Sequence, residues 1–105
     1  MTEDYKKEII QRITRSLLDT QLLRLVEAEP MWGYKIKKIV ENNLNIKLRH
    51  GALYPMLNHL EREGFLISQN QRESGRARKV YSVTEKGREY LESYYAVLKD
   101  QMKGK

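Results

Sequence analysis

The stretch that most constrains this chain runs from Arg49 to Gly64, Arg-His-Gly-Ala-Leu-Tyr-Pro-Met-Leu-Asn-His-Leu-Glu-Arg-Glu-Gly. Leu53, Met56, Leu57 and Leu60 recur at three- and four-residue spacing, which on a 3.6-residue period makes one apolar stripe turned to a core. The opposite face carries His50, Tyr54, Asn58 and Arg62, with Pro55 near the first turn. Its only acids, Glu61 and Glu63, stand at its end. Donors, an aromatic hydroxyl and a guanidinium on one helical face are the groups that meet phosphates and base edges when a helix lies in a major groove. Gly64 stops the helix, and Phe65-Leu66-Ile67 opens an extended segment. A helix followed at once by two strands predicts a winged helix, that is, a helix-turn-helix with a hairpin appended.

Taken in order, the chain begins with Thr2 as an expected N-cap and with Glu3 and Asp4 at the positive end of the helix dipole. Tyr5, Ile9, Ile13 and Leu17 follow one stripe, and Leu18, Leu22, Leu25 and Val26 continue it on a shifted face. This predicts one long helix, or two joined near Thr14-Arg15-Ser16, ending before Pro30. Met31-Trp32-Gly33-Tyr34 reads as a tight corner, with Trp32 a packing residue there. A short helix from Lys35 to Asn43 follows, with Ile36, Ile39 and Val40 inward and Lys35, Lys37 and Lys38 outward. Asn42-Asn43-Leu44-Asn45 marks its end.

Beyond Gly64, residues 65–72 and 78–83 read as two strands of period two. Glu73-Ser74-Gly75-Arg76-Ala77 is the expected tip. Arg72, Arg76, Arg78 and Lys79 crowd this wing with only Glu73 to offset them, which predicts a phosphate or minor-groove contact. Thr84 caps the last helix and Glu85 sits in its first turn. Tyr90, Leu91, Tyr94, Tyr95, Val97, Leu98 and Met102 then make a broad, tyrosine-rich arc, more than a terminal helix can bury against its own small domain. This arc and the Tyr5–Leu17 stripe are expected to meet across a twofold axis in a homodimer; the alternative is that the two terminal helices pack on each other within one chain.

Composition narrows the partner. The net charge is +6, yet residues 1–30 hold five basic and six acidic side chains and residues 85–105 hold five and four. Residues 31–84 hold ten basic against four acidic, so the whole excess lies on the helix and hairpin signals. A localised positive excess is the footprint of a polyanion. The chain has 105 residues, room for one winged-helix domain (1–29 N-terminal helix, 31–84 helix-turn-helix plus wing, 85–105 dimerisation helix), and no cysteine, which excludes disulfides and thiolate metal sites. No run approaches the ~20 apolar residues of a membrane span and the start lacks the apolar core of a signal peptide. A cytoplasmic protein is expected.

Catalysis needs a constellation of groups. The two histidines, His50 and His59, lie nine residues apart on a helix, roughly 13 Å along its axis, and cannot share a metal. No phosphate-binding glycine loop or nucleophile elbow occurs. The reading is a non-enzyme with neither metal nor cofactor.

Several blocks resemble the PadR-like winged-helix transcriptional regulators: Glu29-Pro30-Met31-Trp32-Gly33-Tyr34-Lys35-Ile36, Gly51-Ala52-Leu53-Tyr54-Pro55 with Leu57 and Leu60-Glu61-Arg62-Glu63-Gly64, Arg78-Lys79-Val80-Tyr81, and Thr84-Glu85-Lys86-Gly87. In order and spacing they span about residues 18–92. The resemblance implies a dimeric repressor whose third helix, about 50–63, enters the major groove while the wing, about 72–79, lies on backbone or minor groove. It implies that Tyr54, Asn58 and the wing arginines bear on DNA while Gly33 and Tyr34 hold the corner before the second helix. Together with the helix and charge readings above, the expected DNA-binding residues are Lys35, Arg49, His50, Gly51, Ala52, Tyr54, Pro55, Asn58, Arg62, Arg72, Arg76, Arg78 and Lys79. Ala52 and Trp32 stand where the family commonly has Thr and His. A small aromatic effector is conceivable from the family, without support from the residues. Two other readings stay open: a sequence-nonspecific architectural DNA-binding protein, and a winged helix serving as a protein-interaction module.

Overall fold

A computed structural model of the chain describes residues 3–43 and 51–103. The expected cap Thr2, the turn at Leu44-Asn45, and Arg49 and His50 lie outside the described residues. The elements, in order, are α1 (Glu3–Ser16), α2 (Leu18–Ala28), β1 (Met31–Trp32), α3 (Gly33–Asn43), α4 (Leu53–Arg62), β2 (Leu66–Glu73), β3 (Arg76–Val83) and α5 (Glu85–Met102).

The first two helices are separate, and a hydroxyl marks where. Thr14 Oγ1 donates to the Ile10 carbonyl at 2.8 Å, a back-bond that bends helices. Three residues on, Leu17 leaves the helical region at φ −115°, ψ 37°. Backbone bonds from Leu17 N to Ile13 O and from Gln21 N to Leu17 O, both 2.9 Å, carry the ladder across the joint. At the far end Glu29 is extended, as a residue before proline must be.

The expected corner at Met31-Trp32 is instead a third strand. It pairs antiparallel with β3, Met31 opposite Tyr81 and Trp32 opposite Val80, so the sheet order is β1-β3-β2. Two residues are too few to display a period of two, which hid this strand in the sequence. The hairpin also differs from expectation: Arg76 and Ala77 belong to β3, and the turn is only Ser74-Gly75, with φ values of 53° and 80°. Two positive φ angles make the tight turn that matches the right-handed twist of a hairpin. β2 and β3 pair from Leu66–Val83 to Glu73–Arg76.

The core gathers Leu22 and Val26 of α2, Ile36 and Val40 of α3, and the Leu53, Leu57 and Leu60 stripe of α4, closed by Leu66, Tyr81 and Val83 from the sheet. From Gln69 to Lys79 the described side chains of the ribbon are exposed except Arg78, so the wing projects from this core.

The end of α4 is built tightly. Phe65 N donates to Leu60 O at 2.9 Å and Gly64 N to Glu61 O at 3.0 Å, with Gly64 at φ 83°, the pairing of a Schellman stop. The start of α5 locks onto it. Thr84 Oγ1 accepts from Gly87 N at 3.0 Å as the cap and donates to Gly64 O at 2.6 Å; Thr84 N donates to Phe65 O at 3.1 Å and Lys86 Nζ to Glu63 O at 2.8 Å. Gly87 permits this approach, because a Cβ there would lie 2.3 Å from Phe65 O.

Two residues assigned from sequence to a partner surface pack instead within the chain, Leu91 in the core and Tyr90 against it. Leu91 is 1% exposed and packs in the core. Tyr90 stacks on Phe65 at 4.3 Å and donates its hydroxyl to Asp19 Oδ2 at 3.4 Å; burial pushes that phenol upward in pKa. An apolar stripe states that a face is covered but not by what, and α2 supplies the cover here. The outer face of α5 keeps Tyr95, Val97, Leu98 and Met102 exposed. The radius of gyration is 15.2 Å, against about 13 Å for a compact domain of this size.

Candidate nucleic-acid interface

Helix α4 presents Tyr54, Pro55, Asn58 and Arg62 to solvent. Tyr54, Asn58 and Arg62 are four residues apart and therefore share a face. Since α4 begins at Leu53, Pro55 falls in its first turn, where a backbone N–H has no intrahelical acceptor; the ring costs no hydrogen bond and fixes φ. Gly51, at φ 89°, leads into the helix, and Ala52 offers no side-chain cap.

A groove of about 630 Å³ opens between this helix, the β1–α3 junction and the wing, lined among others by Trp32, Tyr34, Tyr54, Asn58, Arg76 and Lys79. Its floor is aromatic. The Tyr54 ring lies over Gly33 so closely that a Cβ there would stand 2.7 Å from Tyr54 Cε1. Trp32 and Tyr34 rings meet at 5.4 Å, and Lys38 Nζ lies 5.4 Å from the Tyr34 centroid. Arg78 places its guanidinium 3.6 Å from the Trp32 ring centroid, while its buried Nε has no hydrogen-bond partner among the described residues.

The cations expected on the wing divide into two pairs. Arg72 and Arg76 are exposed. Arg78 is held by Trp32, and Lys79 Nζ lies 3.2 Å from Glu61 Oε1 on α4. Ser68 Oγ donates to the other oxygen of Glu61, Oε2, at 2.5 Å. The Ser68 hydrogen bond, followed by Lys79, holds the Glu61 carboxyl below the usual range; the bond to Glu61 raises the Lys79 ammonium, and burial pushes the Tyr81 phenol up. Lys35 Nζ is paired with Glu29 Oε1 at 2.8 Å, exposed on both sides.

Sequence reasoning placed Trp32 at a corner, whereas it is also the platform for Arg78. It gives Glu61 only as an acid at the helix end, Tyr81 only as part of a strand block, and Ser68 no role. Their signal was available only in part: Lys79 and Tyr81 share a strand face, but which helix residue meets them depends on how α4 crosses the sheet. Among the described residues no group of three His, Cys, Asp or Glu comes together as a metal site, and no helix is long and apolar enough to cross a membrane.

These elements define a winged helix-turn-helix with a cationic, aromatic groove between recognition helix and wing. The model of the transcriptional regulator PadR-like family matches residues 22–93, and the chain belongs to that family. A crystal structure of a transcriptional regulator from Thermoplasma acidophilum, TA0346, superposes with a TM-score of 0.75 at 28% identity, covering 88% of this chain and 89% of that one. Bacillus subtilis PadR, solved in complex with operator DNA, shares the fold with a TM-score of 0.68 at 24% identity, over 75% of this chain and 46% of that one. The transcriptional regulator Rv3488 of Mycobacterium tuberculosis is 49% identical over 41 residues, 39% of this chain and 38% of that protein, so the match spans less than two-fifths of that relative. The family and these relatives are transcriptional regulators rather than enzymes.

Proposed function

We propose that this chain is a non-enzymatic repressor that binds double-stranded DNA as a homodimer, with α4 in the major groove and the Ser74-Gly75 end of the wing on backbone or minor groove. One observation carries the reading: Tyr54 and Asn58 of α4 and the exposed Arg76 of the wing line the same cationic groove, with Arg62 of α4 and Arg72 of the wing also exposed. Tyr54 and Asn58 offer donors and acceptors for base edges, and Arg72, Arg76 and Arg62 offer charge for phosphates. The operator complex of Bacillus subtilis PadR, a protein of the same fold, supports double-stranded DNA as the partner.

The dimer reading rests on what α1 and α5 leave open. Ile9 and Ile13 of α1 and Tyr95, Leu98 and Met102 of α5 are exposed, and an apolar trough of about 330 Å³ runs along Ile9, Ile13 and Leu17. A second copy would cover both faces and set two α4 helices about one DNA turn, roughly 34 Å, apart. Sedimentation at micromolar concentration should return twice 12.5 kDa; a monomer would remove the dimer.

DNA binding is tested by passing sheared genomic DNA over immobilised protein at about 0.15 M salt and sequencing what is retained. Enrichment of a few inverted repeats is the expected result. Even retention of all fragments would favour an architectural protein, and no retention would leave the interaction-module reading.

A further inference from the structure

Glu61 is an acid standing among the cations of a DNA-facing surface, and each of its oxygens is spent. Oε2 accepts from Ser68 on β2, and Oε1 faces Lys79 Nζ on β3 at 3.2 Å. Ser68 lies opposite Tyr81, which is buried, and Lys79 is two residues further along on the same strand face, its Nζ 5.5 Å from the Tyr81 centroid. One carboxylate in the last turn of α4 thus touches both strands where the wing leaves the core. Glu61 and Lys79 side chains remain 30% and 45% exposed, so the pair is accessible to solvent and to a polyanion.

From this geometry we infer that Glu61 is a specificity-determining positioning residue: it ties the root of the wing to the recognition helix and withholds Lys79 from the DNA backbone. The inference rests on the DNA-binding reading above and adds a division of labour to it. Phosphate contact falls to Arg72 and Arg76, while Lys79 is engaged by Glu61 at the surface. A freed lysine would add a sequence-independent contact, since each neutralised phosphate steepens the dependence of log K on log salt by about 0.9. Glu61 therefore lowers indiscriminate binding and fixes the angle at which helix and wing meet the duplex.

Fluorescence anisotropy of a labelled random duplex, titrated across a salt series, tests this with wild type, Glu61→Gln, Lys79→Ala, the double variant and Arg76→Ala, each checked for folding by circular dichroism. Glu61→Gln should bind the random duplex several-fold tighter with a slope steeper by about 0.9. Lys79→Ala alone should leave the wild-type slope unchanged, and in the Glu61→Gln background it should abolish the gain. A merely structural Glu61 would not produce that dependence on Lys79. A slope flattened by about 0.9 in Lys79→Ala, or an unaltered slope in Glu61→Gln, overturns the inference while DNA binding stands. Failure of the wild type to bind any duplex removes the DNA reading itself, and is seen before any variant is compared.

Discussion

Arg78 lies across the face of Trp32, its guanidinium carbon 3.6 Å from the ring centroid, although the two belong to strands at different positions in the sheet's register. Trp32 is opposite Val80, so Arg78 reaches it diagonally from two residues along β3. The pairing joins the short strand before α3 to the wing.

Trp32 is the chain's single tryptophan and it lines the groove. Duplex DNA entering the groove should therefore change the intrinsic fluorescence in a saturable way, and Trp32→Phe should remove the signal. Trp32→Ala should in addition lower stability by about 1–2 kcal/mol, from the lost cation–π contact and apolar area, read as a lower urea midpoint. An unchanged spectrum at saturating duplex would place the DNA elsewhere.

Helix and wing should contribute differently to recognition. Tyr54→Ala or Asn58→Ala should reduce discrimination between an enriched site and a random duplex by ~1–3 kcal/mol. Arg76→Ala should weaken both duplexes about equally and flatten the salt slope by about 0.9. Competition binding at two salt concentrations separates these outcomes; equal losses for every variant on every duplex would contradict base readout by α4.

Two glycines make close approaches of opposite kind. At Gly87 an added Cβ meets backbone, Phe65 O at 2.3 Å, which cannot swing aside, so Gly87→Ala should cost about 1–3 kcal/mol of stability or more. At Gly33 it meets the rim of the exposed Tyr54 ring at 2.7 Å. Gly33→Ala should displace that ring and weaken DNA binding with a smaller change in stability. Urea unfolding of both variants, beside their DNA affinities, checks the contrast.

The Glu61 carboxyl is held below its ordinary range by Ser68 and Lys79. A depressed acid contributes stability that is present above its unfolded value and is lost as pH falls through the folded one. The stability difference between wild type and Glu61→Gln should accordingly be fullest at neutral pH and shrink below the ordinary glutamate range. Being partly exposed, the pair should contribute no more than about 1 kcal/mol. A constant difference from neutral pH down to about pH 3 would mean that Glu61 acts without its charge.

Local signals were the legible ones. The Leu53, Leu57 and Leu60 stripe, the Gly64 stop and the Thr84 cap each depend on neighbours within a few residues, and all three stand as the sequence indicates. What stayed hidden required two distant segments to be placed together. Met31-Trp32 becomes a strand only because β3 lies beside it, and the Ser68–Glu61–Lys79 contacts follow from the crossing of a helix over a hairpin. Leu91 failed for a related reason, since its stripe is compatible with either a partner or α2. Arg49 and His50, expected at the head of the recognition helix, fall outside the described residues.

The joint between α4 and α5 makes the last helix a lever. Three hydrogen bonds from Thr84 and Lys86 fasten its base to the turn that ends the recognition helix. Its 18 residues reach about 27 Å beyond that base. A tilt of about 10° moves the far end by roughly 5 Å over that length. The base of α5 therefore holds a fixed relation to the end of α4, whose exposed face carries Tyr54 and Asn58.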